Sequence, residues 1–203
     1  MLIRYNTSYL KDKMPQWANQ YLHIPFPPYW ERVYHILSKE DKSKSILEIG
    51  CGLGDITSIG CYLKFEKIIA YERDSKLARL ATKKIPNLFG KSDIIKNESF
   101  PSGITKADIL IQVNCVYADN SKCMDEYKQM LLNNYIAAGT PSIYILEVID
   151  KSYTAVNEDF PPHVRLSEED IAMMFPETII TSYLTYEYPT NNKTKRLYII
   201  KRI

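Results

Sequence analysis

The feature that most narrows what this chain can fold into is one stretch, Ile46-Leu47-Glu48-Ile49-Gly50-Cys51-Gly52-Leu53-Gly54-Asp55. Ser45 to Ile49 is a short apolar run broken by a single acid, and it reads as a buried strand. Three glycines at alternate positions end it, and Asp55 to Leu63 continues with helical periodicity. Glycines allow a tight turn and let a ligand reach bare backbone. A strand, a glycine turn and a helix in this order open an α/β sheet, whose ligands bind at the carboxyl ends of its strands.

The rest of the chain repeats the alternation. Lys67 to Tyr71 reads as a second strand, Ser75 to Lys84 as a helix, and Leu88–Gly90 as a weak strand. Ala107 to Val113 and Ser142 to Ile149 are apolar enough to be central strands, with a helix from Met124 to Ala138 between them that stops near Gly139. Ser167 to Phe175 reads as a helix opened by a capping box of Ser167 and Asp170. Thr178–Tyr188 and Arg196–Ile203 close the chain as two strands joined by a short turn, which forces them antiparallel. The expected fold is α/β: a three-layer sandwich around a mostly parallel seven-stranded sheet, its last strands antiparallel. Tyr29 to Ser38 is expected to form a helix on that sheet. Residues 1–28, with prolines at 15, 25, 27 and 28, are expected to be an N-terminal arm or helical lid, and 29–203 the main domain.

Charge and cysteines limit the partners. The chain has 203 residues, with 26 basic against 24 acidic side chains and a net charge of +2. Its basic clusters, Lys83-Lys84 and Lys193-Thr194-Lys195-Arg196, are small, whereas duplex binding usually needs a basic face. Nucleic acid is therefore not the expected partner. No apolar run reaches the ~18 residues of a membrane span, and the first residues lack a signal-peptide pattern. The four cysteines (51, 61, 115, 123) form no C-x-x-C pair, so neither a metal site nor a disulfide framework is expected, and a cytoplasmic location is.

The glycine turn is not that of a dinucleotide site. Asp55 stands where the third glycine of G-x-G-x-x-G belongs. Glu48, two residues before Gly50, suits an ammonium or a sulfonium better than a pyrophosphate. Glu72 ends the second strand 72 − 50 = 22 residues after Gly50, near the ~20-residue spacing of an acid that holds ribose hydroxyls.

With these residues in place, the sequence resembles the class I S-adenosylmethionine-dependent methyltransferases from roughly Ser45 to the C-terminus. The likeness is strongest at ILEIGCGLGD (46–55) and IIAYERDSKLARLA (68–81). It implies S-adenosylmethionine as cofactor. Gly50, Cys51 and Gly52 would hold the methionine portion, with Glu48 near its amino group, Glu72 at the ribose and Arg73 along the adenine. Ser92-Asp93-Ile94 is similar to the family's adenine-binding element, Asp93 meeting the exocyclic amine and Ile94 the ring. Asn114 takes the position that faces the methyl-transfer centre. The chain reads Asn114-Cys115-Val116-Tyr117 where enzymes that methylate base amines or glutamine often carry Asn/Asp-Pro-Pro-Tyr/Phe, and the missing prolines argue against that subgroup.

The acceptor is less legible. A hydroxyl acceptor needs a base near neutral pKa, and His163 and Tyr117 are the catalytic candidates, with Asp150 also near a strand end. Tyr9, Tyr21 and His23 in the arm and Glu147 at a strand end are the substrate candidates; the arm's aromatics either close over the site or pack on the core. His35 reads as a structural residue on the apolar face of its helix. The leading expectation is methylation of a hydroxyl or amine on a small molecule. A protein side-chain methyltransferase and a non-catalytic cofactor-binding module are the alternatives, and the oligomeric state is not legible.

Overall fold

Helix α1 (Pro28–Ser38) is the first element of the computed structural model, which describes residues 28–102, 105–113, 115, 121–154, 160–187 and 194–203. Proline suits a first helical turn, where its missing N–H has no intrahelical use. Trp30, Val33 and Leu37 form the buried stripe of α1. His35 lies off that stripe: contrary to expectation it is exposed, with Nε2 3.6 Å from the Glu31 carboxylate. The arm before residue 28 lies outside the described residues.

Strand β1 (Ser45–Ile49) leads through the glycine turn into helix α2 (Asp55–Tyr62), and β2 (Lys67–Tyr71) follows. Helix α3 (Ser75–Phe89) runs five residues past the expected end at Lys84. The Asp74 side chain caps it by accepting from the Lys76 and Leu77 N–H groups. Pro86 does not break it, because buried Leu77, Ala78, Ala81 and Ile85 hold this face against the core. Gly90, at φ +66°, closes the helix through its N–H to the Pro86 carbonyl. The weak strand expected at Leu88–Gly90 is therefore helix end, and the third strand is β3 (Ile95–Lys96).

The remaining elements are β4 (Ile109–Gln112), α4 (Met124–Ala137), β5 (Ile143–Asp150), β6 (Arg165–Leu166), α5 (Glu168–Met174), β7 (Thr178–Glu187) and β8 (Thr194–Arg202). The capping box that opens α5 forms as expected between Ser167 and Asp170. The two-residue β6 has no pattern in the sequence; it pairs with the end of β5 through Ile149 and Asp150.

The sheet order is β3-β2-β1-β4-β5-β8-β7, with β6 beside β5. Only β8 is antiparallel to its neighbours β5 and β7. All eight residues of β5 are buried, as a strand covered on both faces must be. One face packs Ile46, Ile109, Ile111, Ile143, Ile145, Leu197 and Ile199 against α1 and α2. The other packs Leu47, Leu110, Tyr144, Leu146 and Tyr198 against Tyr127 and Leu131 of α4 and Ile171 of α5. Each such side chain contributes ~1.5–3 kcal/mol by leaving water. From β1 the chain winds outward to β2 and β3, then returns to β4 on the other side of β1. That reversal opens a crevice at the carboxyl ends of β1 and β4. No helix among the described residues is long and apolar enough to cross a membrane.

Candidate functional site

The glycine turn sits in this crevice, and its backbone is fixed from β2: the Gly50 and Cys51 N–H groups both donate to the Tyr71 carbonyl, at 2.8 and 3.0 Å. Gly50 has φ +69°, and a Cβ there would lie 2.2 Å from the Cβ of Cys115. Cys115 follows β4 and lies on the turn, so Gly50 is required by both conformation and space. Gly52, at φ +55°, differs. A Cβ on it would meet nothing within 4 Å, so its backbone faces open space. From α3, the Lys84 ammonium holds the Leu53 carbonyl at 3.0 Å and the Asp55 carboxylate at 2.6 Å, tying that helix to the turn.

Two carboxylates flank the turn. Glu48 is 3% exposed and accepts the Thr57 hydroxyl of α2. Burial, with Asp55 and Glu72 adding to it, pushes its pKa up to about 7 against the Thr57 hydrogen bond and Lys84. Glu72, just past β2, accepts the Gly52 N–H on Oε2 and the Asp74 N–H on Oε1, each at 2.8 Å. A carboxylate oxygen has more than one lone pair, so both can also accept from hydroxyl donors. Burial raises the Glu72 pKa, opposed by those two N–H groups. Arg73 is exposed one residue further on.

The structure separates Asp93 from this group. Ala70 pairs with Ile95 and Tyr71 with Lys96, so Asp93 precedes β3 at the level of the start of β2. With Ser45, Lys67 and Lys106 it lines a shallow cleft of about 470 Å³ at the amino edge of the sheet, opposite the glycine turn. Ile94 is a core residue packed with Cys51, Cys61, Ala70 and Ile85. The residue that reaches the Glu72 corner from β3 is Asn97, whose Nδ2 donates to the carbonyls of Glu72 (2.9 Å) and Arg73 (3.3 Å). Sequence reasoning missed it because the position of a two-residue strand decides which side chain comes after it.

Glu147 lies level with the glycine turn. One residue beyond the pairs Ile49–Gln112 and Gln112–Leu146, the register puts Gly50, Val113 and Glu147 on one rung, and Glu147 pairs with Leu197. By alternation Glu147 shares the sheet face of Ile143, Ile145 and Glu48. It is 3% exposed, and its Oε1 accepts the Thr185 hydroxyl at 2.6 Å. Asp150, by contrast, is an ion-pair partner of Arg196 and accepts the Ser152 N–H.

His163 stands on the short 3-10 turn Pro162–Val164 before β6, half-buried, with Nε2 3.0 Å from the Ser121 carbonyl. A carbonyl oxygen can only accept, so this contact requires the proton on Nε2. Asn114, Tyr117, Tyr9, Tyr21 and His23 lie outside the described residues. Among the described residues no group of His, Cys, Asp and Glu is placed to hold a metal ion.

No family model matches the sequence, and no curated protein does. Solved structures do. The magnesium protoporphyrin IX methyltransferase of Synechocystis PCC 6803 with bound SAH superposes with a TM-score of 0.66 at 14% identity, over 98% of this chain and 96% of that one. An S-adenosylmethionine-dependent methyltransferase from Clostridium acetobutylicum ATCC 824 gives 0.62 at 12% identity, over 94% and 98%. The small RNA methyltransferase HEN1 gives 0.64 at 13% identity, over 89% of this chain and 26% of that one. Together they show that this chain has the fold of the class I S-adenosylmethionine-dependent methyltransferases.

Proposed function

We propose that this chain is an S-adenosylmethionine-dependent methyltransferase that acts on a small-molecule acceptor. The observation that carries the reading is the pairing of Gly52 with Glu72. The turn leaves open space over Gly52, and the carboxylate bonded to its N–H stands at the carboxyl end of β2. The residues present fit the cofactor. Glu48 is the anionic group for its ammonium, the backbone of Gly50 to Gly52 the bed for its methionine portion, and Glu72 the acceptor for its ribose hydroxyls. Asn97 and Arg73, rather than Asp93, border the adenine end.

When bound, the cofactor supplies an electrophilic methyl group. The chain has to hold that methyl in line with the acceptor and keep water out, which can contribute ~7–11 kcal/mol. The buried rung of Gly50, Val113 and Glu147 gives a rigid edge for this alignment, and His163 remains the candidate base at the same edge. A small acceptor agrees with the net charge of +2, which supplies no broad basic surface. Calorimetry with S-adenosylmethionine, S-adenosylhomocysteine and NAD tests the reading. The first two are expected to bind and NAD not; binding of NAD alone would overturn it.

A further inference from the structure

Strand β7 carries one irregularity. Leu184 pairs with Arg196 and Tyr186 with Lys195, so Thr185 is an extra residue, a β-bulge. Bulges re-aim side chains and are over-represented beside active sites. Here the re-aimed side chain is 2% exposed and spans β8 to reach β5, where its hydroxyl donates to Glu147 Oε1 at 2.6 Å. Lys195 flanks the pair, 2% exposed, with its carbonyl 3.4 Å from the Thr185 hydroxyl and its ammonium 5.7 Å from the centre of the Phe160 ring. Burying a carboxylate is costly unless its oxygens are held, and here the bulge supplies the hydroxyl that holds one of them. We infer that Glu147 is the acceptor-side carboxylate of this site, that Thr185 is the residue that positions it, and that the acceptor is an amine.

Cys115 reports the field in the crevice. It lies against Gly50, and burial raises its thiol pKa, with Glu48, Glu72 and Glu147 adding to the rise and Lys195 opposing it. The proposed cofactor takes Glu48 and Glu72, so Glu147 is the one of these three left for the acceptor, and a buried carboxylate accepts best from a cationic donor and opposes a carboxylate or a phosphate. An acceptor held as an ammonium gives one proton to the Glu147 carboxylate. The freed nitrogen lone pair forms the N–C bond to the methyl carbon as the C–S bond breaks, and that electron pair stays on sulfur. The sulfonium charge thus passes to the methylated nitrogen, and the proton on Glu147 leaves to water.

This inference rests on the methyltransferase reading, and calorimetry on protein saturated with S-adenosylhomocysteine separates the two. The probes are benzylamine, benzyl alcohol and benzoate. Benzylamine is expected to bind at least about tenfold more tightly than the other two, the scale of a charge-assisted hydrogen bond. Glu147→Gln removes that preference and leaves the affinity for S-adenosylhomocysteine unchanged. Thr185→Val weakens benzylamine several-fold, and Thr185→Ser, which keeps the hydroxyl, restores it. Should Glu147→Gln fail to fold, the two Thr185 variants carry the test. A wild-type protein that prefers benzoate or shows no amine preference overturns the inference, as does full benzylamine affinity in Glu147→Gln or Thr185→Val. Failure of the wild type to bind S-adenosylhomocysteine overturns the methyltransferase reading instead.

Discussion

Glu48→Gln separates what the buried acid does to the fold from what it does for a ligand. The Glu48 carboxyl titrates at about 7 rather than at the ordinary 4.5, because burial disfavours its charge. The unfolded chain therefore ionises first. The stability held by the neutral buried carboxyl is complete below about pH 4.5 and is lost as pH rises through 7. A difference of 2.5 in pKa corresponds to about 3 kcal/mol, of which about 2 kcal/mol falls between pH 5.5 and 8.5. Glutamine cannot ionise, so Glu48→Gln is expected to gain on the parent by that amount across this interval, apart from a constant offset for its buried amide. Denaturant unfolding at intervals of half a pH unit measures it. The ligand behaves in the opposite sense. If only ionised Glu48 accepts an ammonium, the parent binds S-adenosylhomocysteine about thirtyfold more weakly at pH 5.5 than at 8.5. Binding near pH 7 then releases about half a proton per ligand, which calorimetry in buffers of different ionisation enthalpy detects, and Glu48→Gln loses this pH dependence. Parallel stability curves for the two proteins would refute the burial argument, and pH-independent binding by the parent would refute the ammonium contact.

Two further experiments concern the turn and its second acid. Gly50→Ala combines left-handed backbone, about 1–2 kcal/mol, with a 2.2 Å contact to Cys115, and is expected to lower the melting temperature sharply. Gly52→Ala carries the same left-handed cost but meets no atom within 4 Å, so it is expected to lose less stability than Gly50→Ala while losing S-adenosylhomocysteine affinity; unchanged affinity in Gly52→Ala would mean that the space over Gly52 is not a ligand site. Glu72→Ala is expected to weaken S-adenosylhomocysteine by roughly 1–3 kcal/mol, the cost of leaving polar partners unpaired, and unchanged affinity in calorimetry would place the ribose contact elsewhere.

What the sequence determined by itself was local. The run SILEI ending in three glycines is a strand and a turn wherever it stands, since its apolar period and its positive-φ positions are properties of adjacent residues. The place of Glu72 beside the turn was legible from spacing, because one helix and one strand fix the distance between the ends of β1 and β2. The capping box of Ser167 and Asp170 was likewise written within four residues. Only the tertiary structure decided the rest, since it depends on register between strands distant in sequence. Pairing of Ala70 with Ile95 placed Asp93 at the amino edge of the sheet, away from the glycine turn, and brought Asn97 to the carbonyl of Glu72. The requirement for glycine at position 50 comes partly from Cys115, 65 residues later, which no local pattern announces. Thr185 reads as one more polar residue in a strand. A single unpaired step in the ladder between β7 and β8 turns its hydroxyl onto Glu147, and a step of that kind exists only once the strands have met.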